Sequence, residues 1–210
     1  MSAFEPFPKL TRFSHDWTIS EKIDGSNAQI NIVPEDTMSP NIKYGPAVAV
    51  LMHENVVYSV FAGSRNRLLD TSKTGDHAGF ARFVADNARG FVETLGAGRH
   101  FGEWYGAGIQ RNYGLTEKRF ALFNPRWRGV ELPDRVDVVP VLFEGYLSHA
   151  GVFDNALIDL SLAGSKLVPG FMNPEGIVMY HGPSKTLFKR TFDYDEQGKW
   201  AENQSRKETK

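Results

Sequence analysis

"WTISEKIDGSNAQINIV", residues 17–33, reads as two strand-like arms around a polar break. "WTIS" and "AQINIV" alternate apolar and polar positions with the period of two that a strand requires. "DGSN" between them carries turn residues. Lys22 stands in this stretch beside Glu21 and two residues before Asp24. A surface lysine needs no such setting, but a nucleophilic lysine does. Its amine must be unprotonated, a state that burial or nearby positive charge favours. A following glycine, Gly25, lets the backbone turn tightly or come close to a ligand. On this segment alone, the plain alternative is an exposed loop lysine next to a salt-bridging Asp24.

Working outward, "AVAVLMHENVVYSVFAG" (47–63) predicts a β-hairpin with its turn at "HEN". One helix is predicted from Asp76 to Leu95, because Phe80, Phe83, Val84, Phe91, Val92 and Leu95 share a face at three-to-four spacing. Asp76 is its expected N-cap and Gly96 its stop. "HFGEWYG", "RFALFN", "VVPVLFEGYL", "GIVMYHG" and "TLFKRTF" supply five further short strands, and "FDNALIDLSLAG" a short helix. Strands interleaved with about two helices predict an α+β fold of mainly antiparallel sheets. One domain is expected over residues 1–198, followed by a polar tail, 199–210, of disordered composition.

Bulk properties narrow the function classes. The 210 residues are 41% hydrophobic, 23% charged and 12% aromatic, as in an ordinary globular protein with a packed core. A net charge of −1 argues against a protein that coats nucleic acid through bulk charge, so such contact needs a local basic groove. With no cysteine, disulfides, thiolate catalysis and cysteine zinc sites are excluded. The sequence contains no secretory leader pattern and no apolar run of membrane-spanning length, which sets a cytoplasmic, non-membrane protein as the expectation. A monomer is expected, since no heptad pattern argues for more.

Several residues along the chain have chemistry to offer. Arg65 and Arg67 follow a predicted strand, where guanidinium groups can fork onto phosphate or ribose oxygens. Glu103 lies among bulky aromatics and glycines, and Phe123 can stack on a base or pack in a core. Glu175 directly precedes an apolar strand, and Lys189 sits in the last one.

Taken in order, Lys-x-Asp-Gly, Ser-Arg, Gly-Glu-x-x-Gly, an aromatic strand, Glu-Gly-Ile-Val and a strand lysine resemble the covalent nucleotidyltransferase superfamily of DNA and RNA ligases and mRNA capping enzymes. "EKIDGSNAQI" and "FGEWYGAGIQ" look most like the RNA ligase family, on the branch of the RNA-editing ligases and their phage relatives. The resemblance implies a nucleotidyltransferase (adenylyltransferase) fold, without the C-terminal OB domain of the DNA ligases. It implies an ATP-dependent ligase that joins 5′-phosphate and 3′-hydroxyl ends through lysyl-AMP and an adenylated nucleic acid end. The implied cofactors are ATP and Mg2+, with Mn2+ as a substitute, and the implied partner is RNA, as a nicked duplex or an RNA/DNA hybrid.

The resemblance also implies roles. Lys22 attacks the α-phosphorus of ATP, Glu21 lies beside the adenine pocket, and Glu103 binds the ribose hydroxyls. Arg65 contacts ribose or the donor phosphate, Phe123 stacks on adenine, and Asn27 serves the nucleic acid end. Glu175 holds the metal, and Lys189 neutralises the α-phosphate. One departure stands out: the family's last motif commonly has two lysines one residue apart, and here Leu187 takes the first position. Lys185 and Arg190 are candidate substitutes, although Arg190 on an alternating strand points away from Lys189. Two alternatives compete with RNA sealing. One is an adenylyltransferase acting on DNA or another acceptor, and the other a non-catalytic nucleic-acid-binding relative.

Overall fold

The two arms of the opening stretch become two strands of different sheets: β1 (His15–Lys22) in a four-stranded sheet and β2 (Ser26–Pro34) in a seven-stranded one. Gly25 makes the start of β2 by lying flat on a neighbouring strand. A Cβ there would fall 2.5 Å from the carbonyl oxygen of Trp104 and 2.9 Å from Cγ of Glu103. The computed structural model describes residues 7, 9–38 and 45–192. The expected polar tail lies outside the described residues.

The chain contains two compact units, Ile23–Val139 and a second built from residues up to Lys22 together with those from Pro140 onward. In the first, β2 is followed by β3 (Ala49–His53), β4 (Val56–Ser64), β5 (Leu68–Leu69), α1 (Phe80–Asp86), α2 (Ala88–Leu95), β6 (Gly98–Gly106), β7 (Lys118–Leu122) and β8 (Val136–Val138). The sheet order is β3-β4-β2-β6-β7-β8, with β5 on β4; among the described residues β7–β8 pair in parallel and the other neighbours antiparallel. Ala28, Ile30 and Ile32 of β2 point to one side, where they meet Val60, Trp104, Phe120 and the helices' Phe80, Val84 and Phe91. Alternation along the strands therefore buries one face under helices and turns Asn27, Gln29 and Asn31 to the other.

The other unit adds β9 (Val141–Leu147), α3 (Gly151–Ala163), β10 (Gly176–His181) and β11 (Thr186–Thr191) to β1. Its order is β11-β10-β1-β9, antiparallel throughout. Trp17, Ile19, Ile177 and Met179 bury one face against Phe153, Leu157 and Leu160 of α3. No helix among the described residues is long and apolar enough to cross a membrane.

The class is α+β with mostly antiparallel sheets, as the strand pattern predicts. Three boundaries differ. The helix expected over 76–95 starts at Phe80 and breaks at Asn87, whose backbone (φ −108°, ψ 9°) leaves the helical region. Asp76 still caps it from outside: its carboxylate accepts the N–H of Ala81 at 2.7 Å. The strand read through "VVPVLFEGYL" is two strands, because Pro140 has no N–H to continue a ladder. The hairpin turn is the pair Glu54–Asn55, both left-handed (φ 47° and 64°), as a two-residue type I′ connection requires.

Candidate active site

Lys22 ends β1, and its register partner is Gly176 at the start of β10. That pairing brings Glu175, the residue before Gly176, beside the lysine. The Lys22 Nζ lies 2.7 Å from Glu175 Oε2, and both side chains are largely shielded from solvent. Gly176 has φ 149°, and a Cβ there would collide with the carbonyl oxygen of Arg190. The glycine therefore lets β10 and β11 close on each other next to the ion pair. The N–H of Phe192 donates to the Glu175 carbonyl at 3.0 Å and fixes the backbone on the carboxylate's side.

The register of this sheet settles which cations share the lysine's face. Ser20 pairs with Val178 and Val178 with Lys189, so Lys189 points to the same side as Lys22. Leu187 shares that face and is 67% exposed. Arg190 points to the other side and donates to Asp154 of α3, so it does not stand in for a second lysine. Lys185 lies in the turn before β11, with φ 52°.

Glu21 belongs to the face opposite Lys22. It is 1% exposed, with Oε2 accepting the N–H groups of Lys166 at 2.7 Å and Leu167 at 3.0 Å. Burial pushes its carboxyl above the usual glutamate range, against the pull of the Ser165 side chain and the two amides. Oε1 is buried with no hydrogen-bond partner among the described residues.

Four of the sequence-predicted residues lie in the other unit: Asn27 and Glu103 on the sheet face turned away from the helices, and Arg65 and Phe123 just past the ends of β4 and β7. Asn27 pairs with Glu103, and Arg65 follows Ser64, the partner of Ala28, by one residue. Asn27 and Glu103 thus share one row across β2 and β6, and Arg65 lies in the bend that follows β4. The next row holds Gly63, Gln29 and Phe101, with Phe123 joined to it by an N–H donated to the Phe101 carbonyl at 2.9 Å. Phe101 and Phe123 are 46% and 38% exposed, so Phe123 is a surface ring and not a core one. The Gln29 side chain lies over Gly63, where a Cβ would meet its Cγ at 2.9 Å, and its amide donates to the Ser64 carbonyl at 3.1 Å.

Sequence reasoning missed Phe101 and Gln29, although each stands two residues from a predicted site residue on an alternating strand. It also missed the partners of Asp24. The Asp24 carboxylate accepts Arg111 Nε at 3.1 Å, and its N–H donates to the Tyr113 hydroxyl oxygen at 2.8 Å. No spacing rule announces contacts 87 and 89 positions apart.

No family model matches the chain, and no curated protein matches it. Among solved structures it is similar to Naegleria gruberi RNA ligase. A glutamate-to-alanine mutant with AMP and Mn matches with a TM-score of 0.55 at 20% identity. A lysine-to-alanine mutant with ATP and Mn matches with a TM-score of 0.52 at 21% identity. Each match covers 89% of this chain and 52% of the ligase, so the chain spans about half the length of that protein. At this identity the likeness is one of fold.

Proposed function

We propose that the chain is an ATP-dependent RNA ligase acting through lysyl-AMP, on the RNA ligase branch of the nucleotidyltransferase superfamily. The observation that carries this reading is the pairing of Lys22 with Glu175 at 2.7 Å, two motif residues 153 positions apart. The fold likeness to the Naegleria ligase supports it.

In the proposed reaction the Lys22 amine attacks the α-phosphorus of ATP. The nitrogen–phosphorus bond forms as the bridging oxygen to the β-phosphorus leaves with pyrophosphate, and the amine gives its proton to solvent. Most of the work is positioning and charge neutralisation. Lys189, on the lysine's face, neutralises the phosphate. Glu103 takes the ribose hydroxyls, Phe123 stacks on adenine, and Arg65 and Asn27 serve ribose and the nucleic acid end; Glu21, enclosed on the face opposite Lys22, is left out of this set.

Glu175 is the residue that would hold a divalent cation. No group of three or more metal-binding side chains exists among the described residues, and a lone carboxylate suits magnesium, which binds few carboxylates alongside water and phosphate oxygens. When bound, the cation supplies positive charge that favours the unprotonated amine. Glu175 is also the ion-pair partner of Lys22.

The test is an intact-mass spectrum after incubation with ATP and magnesium. One added adenylate, lost in acid and missing from Lys22→Ala, is expected. Equal labelling of Lys22→Ala would overturn the reading. Sealing assays on nicked duplexes against single strands, with RNA or DNA 3′-hydroxyl ends, then assign the acceptor, because a 2′-hydroxyl contact separates RNA from DNA. The single-lysine last strand favours one alternative, a nucleic-acid-binding relative without turnover. A wild-type chain that binds RNA but takes up no adenylate would select it.

A further inference from the structure

Residues 107–114, between β6 and β7, hold a backbone that side-chain-bearing residues avoid. Gln110, Asn112 and Tyr113 have φ of 45°, 62° and 55°, and Gly108 and Gly114 are left-handed as well. Asparagine tolerates this region, whereas a bulky tyrosine in it is an outlier. Such strain persists only where surrounding contacts enforce it, and it gathers at working sites.

The contacts here converge on one residue. Tyr113 is buried, its ring edge-on to Tyr105 at 5.5 Å, and its hydroxyl oxygen accepts the N–H of Asp24. Two residues earlier, Arg111 grips the Asp24 carboxylate with a guanidinium shielded from solvent. Asp24 is therefore held through its backbone and its side chain at once. Gly25 after it is pinned on β6, and Lys22 stands two residues before it.

We infer that Arg111 and Tyr113 are positioning residues for Lys22: acting through Asp24, they fix the backbone on the carboxyl side of the lysine. This rests on reading Lys22 as the nucleophile. The lysine amine rides on a flexible four-carbon stem, so a fixed Cα is what limits where it can go. Misplacing a reacting group by about 1 Å can cost on the order of 100-fold in rate. Neither residue needs to touch ATP for this, and the loss therefore falls on the chemical step and not on nucleotide affinity.

Tyr113→Phe and Arg111→Gln, each in the full chain, test the clamp by two readouts. Amide hydrogen exchange at Asp24 should quicken about tenfold or more in Tyr113→Phe, which removes the acceptor of that N–H. The rate of lysyl-AMP formation should fall roughly 10- to 100-fold in both variants, with the ATP KM moved less than about twofold. Arg111→Lys should recover part of the loss, because a cation again faces Asp24. Unchanged Asp24 exchange, or full adenylylation rates in both variants, would overturn the clamp. A matching rise in KM would also overturn it, since that marks lost nucleotide binding. If the wild-type chain takes up no adenylate, the ligase reading fails, and exchange at Asp24 alone then decides whether the clamp exists.

Discussion

At Glu21 a carboxylate is enclosed by its own unit and receives two backbone amides on one oxygen and none on the other. Burial raises its proton affinity in the folded state above that in the unfolded chain. The folded protein then binds more protons than the unfolded one at pH values between the ordinary glutamate pKa and the raised one. Stability falls as pH rises across that window, and the full benefit of the protonated form is present below it. Glu21→Gln cannot ionise, so its urea midpoint relative to wild type should improve as pH rises above the ordinary glutamate range. A difference that stays flat over that rise would mean that the carboxyl remains ionised throughout. Alternation already separates Glu21 from Lys22 in the sequence, since neighbours on a strand face opposite ways. What the sequence does not display is that residues 166 and 167 supply the amides, because a loop's backbone donors leave no mark in residue type.

The elements show the same division between what local pattern specifies and what distant partners decide. Alternation in "WTIS" and "AQINIV" predicts two strands, and two strands form, yet their assignment to different sheets depends on β9, β10 and β6, which lie far along the chain. The helical face of Phe80, Phe83, Val84, Phe91 and Val92 is buried as its spacing predicts. The break inside it comes from Asn87, whose side-chain amide donates to the Phe83 carbonyl at 2.8 Å and so competes with helix continuation. Glycine has its sharpest meaning at Gly176, where left-handed φ and the closeness of β11 coincide. Gly176→Ala should lower stability by about 1–3 kcal/mol in urea unfolding. Gly182→Ala, whose Cβ would meet only the Asp16 carbonyl at 3.4 Å, should change it by less than about 0.5 kcal/mol.

For the molecule as a whole, the informative fact is how the chain is divided. The Ile23–Val139 unit is continuous and owns a core of sheet and helix residues, so a fragment of those residues should fold by itself. Far-UV circular dichroism and a cooperative urea transition would check it, and a non-cooperative, coil-like fragment would refute it. The other unit is assembled from both flanks, with β1 inserted between β9 and β10. That insertion carries a consequence for the order in which the Lys22–Glu175 pair is assembled. On the ribosome, Lys22 is made some 153 residues before Glu175, its carboxylate partner. At about 5–20 residues per second, the delay lasts on the order of ten seconds, and β1 has no neighbour to pair with until β9 is made. A nascent copy that has not reached β10 thus bears Lys22 without the strand and the carboxylate that seat it.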